Sequence, residues 1–388
     1  MIALFGFILI LVLSNFEFGY CIHFPINSAA IGNASAGISR EYQLIFAHVL
    51  YRHGDRNIVG TFPKNQYSDL KYWPGGYGAL TNVGKRQQYE LGKYIRRRYL
   101  KKLISEYYLP NEVYIRSTDV DRTLISAQCN LAGLYPPTGQ QVWQASFKWQ
   151  PIPVHTVALE SDYLLYPVPT SCPRFTHYFN EYLQSVEMKS LMREHKDFID
   201  FLRKNSGIQN MTLEALTILY DTLFVQNLKG FALRDWEKKA FNSNRTLAYL
   251  AGVYYEAFSH TKEMKKLEAG FLLKEILDRF KNKSLSLLQR SLHIYSAHNL
   301  TIANVLNTLN FFKDLHIPPY ASSMYFELYK RGAEYFVQFF YRRTPTETAP
   351  LKILNCDVMC PLKRVYEIYK DVLPSDTESY ATLCRLPN

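Results

Sequence analysis

The sequence predicts an α/β protein: an open, mostly parallel sheet flanked by helices, with a mainly helical insertion covering the crevice at one edge of the sheet. Two observations carry this expectation. Three well-separated segments repeat the order strand, polar turn, helix, which is the unit of an open parallel sheet. Between the second and third of them the texture changes to sustained helical periodicity.

The first unit is "YQLIFAHVLYRHGDRN", where an apolar run over residues 44–51 stops at Arg52-His53-Gly54. In the second, "EVYIRSTDVDRTLISAQCNLAGL", a short strand over 113–115 precedes Arg116-Ser117-Thr118 and a helix. Thr118, with Asp121 three residues on, reads as a capping box at that helix start. The third, "LHIYSAHNLTIANVLNTL", passes through Ser296-Ala297-His298 and Asn299 into an amphipathic helix. Ligands of such sheets bind beyond the carboxyl ends of the strands, so the polar residues of all three turns are expected to share one crevice.

A helix is expected over 81–104, with Leu91, Tyr94, Ile95 and Leu103 on one face and the basic run "RRRYLKK" as a solvated opposite face. Residues 40–165 and 284–388 read as the α/β core and 166–283 as the helical insertion. The stretch "PPYASSMYFELYKRGAEYFVQFFYRR" adds two strands around the turn "RGAE". No internal repeat or low-complexity tract interrupts this plan.

A chain of 388 residues, 47% hydrophobic and 15% aromatic, has ample material for a large core. Its formal charge of +11 favours anionic partners without choosing among them. The basic run carries no nucleic-acid recognition motif, so no nucleic acid is expected as partner. The apolar segment inside residues 1–21 is too short to span a bilayer and reads as a secretory signal, so no stable membrane anchor is expected. Acceptor tripeptides at Asn33, Asn210, Asn244, Asn282 and Asn299 fit a glycoprotein of the secretory route, although a glycan on Asn299 would block the crevice.

Cysteines stand at 21, 129, 172, 356, 360 and 384. If Cys21 leaves with the signal, two bridges and one free thiol remain as the simple outcome, with Cys129 a small buried thiol. Cys356 and Cys360 are close enough for a local bridge; Cys384 then pairs with Cys172 or Cys129. Neither CxxC nor HExxH occurs, and no metal site is expected.

The chemistry concentrates in "RHGDR". Two guanidiniums flank an imidazole in a glycine-containing turn, and guanidinium matches phosphate oxygens in planar, bidentate fashion. Fixed cations also disfavour protonation of the imidazole between them, which leaves it nucleophilic.

"YRHGDRN", "YIRSTDVDRTLISA" and "IYSAHN", with "WQPIPVH" and "CPRF", resemble the acid branch of the histidine phosphatases: the prostatic and lysosomal acid phosphatases and their insect venom-type relatives. The resemblance runs from Tyr42 to Cys384. It implies a histidine phosphatase fold with a helical cap, no cofactor or metal, an acidic pH optimum and a homodimer. His53 would be the nucleophile that forms a phosphohistidine on a small-molecule phosphate monoester. Arg52, Arg56, Arg122 and His298 would bind the phosphoryl group. The implied bridges are Cys172–Cys384 and Cys356–Cys360.

Two departures stand out. Ile58 replaces a usual Pro, and Asn299 replaces the Asp that protonates the leaving oxygen. An amide donates a hydrogen bond but gives up no proton. The expectation is therefore a secreted or lysosomal-lumen acid phosphatase with impaired turnover; the alternative is a catalytically weak or inactive protein that binds phosphorylated ligands.

Overall fold

A computed structural model describes residues 41–166, 172–243 and 245–386. The segment read as a signal, with Cys21, lies outside them.

The chain runs β1 (Gln43–Arg52), α1 (Asn82–Tyr99), β2 (Val113–Ser117) and α2 (Asp121–Leu134). Helices follow from 173 to 284: α3 (Pro173–Leu183), α4 (Val186–Glu194), α5 (Lys196–Ser206), α6 (Leu213–Leu228), α7 (Asp235–Phe241), α8 (Thr246–Ala257), α9 (Lys262–Lys265) and α10 (Phe271–Ser284). The chain then returns through β3 (Leu292–Ala297), α11 (Asn299–Thr308), β4 (Ser323–Arg331), β5 (Glu334–Thr344), β6 (Glu347–Leu351), β7 (Cys360–Pro361), α12 (Leu362–Tyr369) and α13 (Tyr380–Leu383). Among the described residues no helix is long and apolar enough to cross a membrane.

The strands form one sheet in the order β2-β3-β1-β4-β5-β6, with β7 against β5. It is mixed rather than mostly parallel. β3 pairs in parallel with both β1 and β2, whereas β4 joins β1, and β5 joins β4, in antiparallel fashion. The reason lies in the connections: β1, β2 and β3 are linked by helical crossovers, while β4 and β5 are joined by the two-residue turn Gly332-Ala333, which permits only antiparallel pairing. Gly332 adopts φ 58°, a conformation glycine takes without steric cost.

β1 is buried on both faces. Ala47, Val49 and Tyr51 pack with Leu91 and Ile95 of α1 and Leu131 of α2; Phe46 and Leu50 pack with α10 and α11. A separate cluster, including Met188, Leu202, Leu216, Leu223 and Leu250, holds α4, α5, α6 and α8 together. The basic run, which closes α1 at Tyr99 and continues into the turn beyond it, is divided in its tasks. Arg97, Lys101 and Lys102 are exposed, but Arg98 Nε lies 2.6 Å from the buried Glu327 carboxylate and Arg96 donates to the Leu134 carbonyl at 2.9 Å.

α2 does not start as a capping box. Its N-cap is Val120, without a side-chain cap. The Thr118 hydroxyl is instead 3.0 Å from His298 Nε2, committed to the crevice.

His48 and His293 are register partners on β1 and β3, with ring centroids 5.2 Å apart. Neither has a hydrogen-bond partner for either ring nitrogen. Burial, first, and then neighbouring positive charge hold both well below the ordinary histidine range, His293 down to about 2. A histidine with a depressed folded pKa contributes stability that is present above its unfolded value near 6.5 and lost as pH falls below it. Between pH 6.5 and 5 each ring is expected to cost up to about 2 kcal/mol. Urea unfolding of the wild type and of His48→Phe at the two pH values checks this: the variant should lose measurably less stability on acidification.

Candidate active site

The registers Arg52 with Ala297 and Ser117 with Ser296 bring the carboxyl ends of β1, β2 and β3 level. The three polar turns therefore open onto the same edge, and the first turns of α2 and α11 begin there. Helix N-termini present unpaired N–H groups and partial positive charge, favouring an anion.

The RHGDR turn is clamped against α1. A Cβ on Gly54 would lie 2.3 Å from the Gly84 carbonyl oxygen, and one on Gly84 would lie 2.2 Å from that of Asp55. Only two facing glycines let helix and turn come this close. Far from being a solvated loop, the turn is interior: Arg52, His53 and Arg56 are 3%, 2% and 4% exposed.

Tyr320, in the loop before β4, is the platform for these side chains. The Arg52 guanidinium lies 4.0 Å and that of Arg56 5.9 Å from its ring centroid, and the His53 ring is 5.9 Å away. Arg52 Nη1 donates to the Pro318 carbonyl at 2.6 Å. Arg56 forms a two-pronged pair with Asp221 of α6, at 2.9 and 3.0 Å. Burial works against the charge of Arg56, but the Asp221 carboxylate more than offsets it, so this guanidinium stays firmly protonated.

His53 Nδ1 lies 2.8 Å from its neighbour's carbonyl, Gly54 O. A carbonyl only accepts, so Nδ1 carries the proton and Nε2 keeps its lone pair. Burial, then Arg52, Arg122 and Arg56, hold the His53 pKa well below the ordinary value. The ring is thus neutral with one nitrogen available to attack an electrophile.

His298 sits with its centroid 5.9 Å from that of His53. Arg122 Nη2 donates to His298 Nδ1 at 3.4 Å, and Nε2 faces Thr118 Oγ1. Because a guanidinium only donates, Nε2 carries the proton and gives it to Thr118. His298 is likewise held low by burial and the three arginines. Arg122 is pushed down to about 10 by burial and by its fellow guanidiniums. Burial first, and then the mutual repulsion of the cations, produces these depressions; among the described residues Asp221 is the carboxylate in direct contact with the cluster, which is ready for a bound anion.

Beside this cluster a cleft of about 210 Å³ is lined by Arg122, Tyr166, Tyr255, His298 and Asn299, among others. Asn299 Oδ1 accepts from the Leu300 backbone N–H at 2.9 Å, which fixes the amide. Its Nδ2 donates to the Tyr255 hydroxyl at 2.6 Å. Neither nearby aspartate stands in for a carboxyl here. Asp55 is held by the Thr81 hydroxyl and by Lys229 Nζ at 3.6 Å, and Asp119 points to solvent as an exposed residue.

The structure therefore gathers Arg52, His53, Arg56, Arg122 and His298, with Asn299 at the rim. Sequence reading missed Asp221, Tyr255 and Tyr320. Two lie on helices between residues 173 and 284 and the third in a loop, and none belongs to a motif that marks it. The structure also joins Cys172 to Cys384 and Cys356 to Cys360, leaving Cys129 free among the described residues, half-buried rather than the buried thiol expected.

Three guanidiniums and two neutral imidazoles at the strand ends of an α/β sheet suit the binding of a phosphoryl group and attack on it. The chain belongs to the histidine phosphatase superfamily, branch 2, which it matches over residues 43–342. It is 40% identical to human prostatic acid phosphatase over 349 residues, 89% of each chain. It is also 36% identical to human lysosomal acid phosphatase over 362 residues, covering 90% of this chain and 82% of that protein. Among solved structures, the apo form of Hafnia alvei phytase superimposes with a TM-score of 0.66 at 15% identity, over 90% of this chain and 99% of that one. Citrobacter braakii phytase gives 0.65 at 18%, over 89% and 100%. At those identities the phytases speak for the fold alone.

Proposed function

We propose that this protein is a secreted or lysosomal acid phosphatase that hydrolyses phosphate monoesters through a phosphohistidine on His53. The observation that carries the reading is the tautomer of His53: Nδ1 is tied to the Gly54 carbonyl, and Nε2 is an unprotonated nucleophile amid Arg52, Arg56 and Arg122. The arginines hold the phosphoryl oxygens and offset the charge that builds on them in the transition state. His298, in contact with Arg122, serves as a further phosphate ligand. Asn299 gives no proton to the leaving oxygen, so esters of basic alcohols turn over slowly and aryl esters, whose phenolates leave more readily, are affected least. The helices between 173 and 284 act as the cap over the crevice, and the family resemblance supports a homodimer.

Rapid acid-free quenching with a labelled aryl phosphate tests this. The label is expected on His53 as an acid-labile, base-stable adduct. The acid limb of kcat/KM, which reports the free enzyme, should fall well below pH 6.5, because a depressed His53 keeps its lone pair as pH drops until its lowered pKa is reached. Binding of inorganic phosphate without any labelled intermediate or turnover would instead establish a phosphate-ligand-binding protein.

A further inference from the structure

The proton for a basic leaving group must come from somewhere, and of the tyrosines that line the cleft, Tyr166, Tyr254 and Tyr255, it is Tyr255 that Asn299 holds. Asn299 Nδ2 is a donor, so the Tyr255 oxygen accepts that bond and its own O–H points elsewhere. Tyr255 has no other hydrogen-bond partner among the described residues. It lines the same cleft as Arg122, His298 and Asn299. A carboxylate at position 299 would accept the tyrosine proton and hold it; the amide reverses the polarity of the contact and releases it.

We infer that Tyr255 is the proton donor to the leaving oxygen, oriented by the amide of Asn299. The inference rests on the phosphatase reading above. His53 Nε2 forms a bond to phosphorus as the P–OR bond breaks, and the departing oxygen takes the Tyr255 proton to leave as ROH. The tyrosinate then takes a proton from water, whose oxygen attacks phosphorus as the P–N bond breaks, giving inorganic phosphate and the starting enzyme. Burial pushes the Tyr255 pKa up to about 12, with Arg52 and Arg56 pulling against that rise. The phenol therefore keeps its proton at acid and neutral pH, remains a stronger acid than an alkyl alcohol, and yields an anion that the two guanidiniums stabilise.

The test uses kcat/KM, which covers binding through P–O cleavage and is not masked by slow dephosphorylation. Tyr255→Phe should lower kcat/KM for an alkyl phosphate by about 10- to 100-fold, the usual range of general acid catalysis at its lower end. The value for a nitrophenyl ester and inhibition by inorganic phosphate should stay near wild type. The double variant Tyr255→Phe with Asn299→Asp should regain alkyl hydrolysis at acid pH, which also shows that the Phe side chain has not unfolded the site. If aryl and alkyl esters slow equally, or inhibition by phosphate weakens in parallel, Tyr255 is a phosphate ligand and the inference falls while the phosphatase reading stands. If the wild type hydrolyses neither ester, both fall.

Discussion

His53→Ala is expected to lower kcat/KM for an aryl phosphate by on the order of 10⁵-fold or more, as removal of a covalent nucleophile does elsewhere. Inorganic phosphate, measured by titration calorimetry, should still bind with near wild-type affinity. The two outcomes separate because the site divides its labour. His53 is neutral and contributes little to holding an anion, whereas Arg52 is fixed by the Pro318 carbonyl and Tyr320, and Arg56 by Asp221, without help from the imidazole. Truncation leaves a gap the size of the ring between those anchored groups. Added imidazole should occupy the gap and restore part of the turnover as free phosphoimidazole, with no label on the protein. Turnover that survives truncation without imidazole would place the nucleophile elsewhere.

What could be read from the chain, and what could not, follows from how each residue is constrained. The RHGDR turn, the strand before His298 and the strand before α2 were legible because an apolar run ending in a polar turn is local. So was the convergence of Arg52, Arg122 and His298, since parallel strands bring their carboxyl ends to one edge. The sheet's parallel character was overestimated because β1 pairs with β4, nearly 280 positions on, through a geometry no local pattern encodes. Thr118 misled for a related reason. Capping is the ordinary local use of a threonine before a helix, but here a histidine 180 residues away claims its hydroxyl. Asp221 and Tyr255 were invisible because each meets its partner far along the chain, Arg56 165 residues and Asn299 44 residues away. Asn299 was legible as an anomaly, yet its meaning required the hydroxyl it faces.

The largest gain of activity is expected from Asn299→Asp, and it should reverse with pH. The Leu300 N–H will hold one carboxyl oxygen as it now holds Oδ1, leaving the second where Nδ2 lies, 2.6 Å from the Tyr255 hydroxyl. When protonated, that carboxyl is a far stronger acid than a phenol and should raise kcat/KM for an alkyl phosphate by about 10- to 100-fold, with a much smaller gain for an aryl ester. A general acid must carry its proton to act, so the gain shrinks about tenfold for each pH unit above the carboxyl pKa. The start of α11 and the nearby arginines favour the anion and keep that pKa low. Once ionised, the carboxylate also accepts the Tyr255 O–H and removes the second donor. Alkyl hydrolysis by the variant should therefore exceed the wild type in acid and fall below it near neutrality. Parallel alkyl and aryl profiles that never cross would mean that neither side chain delivers the proton.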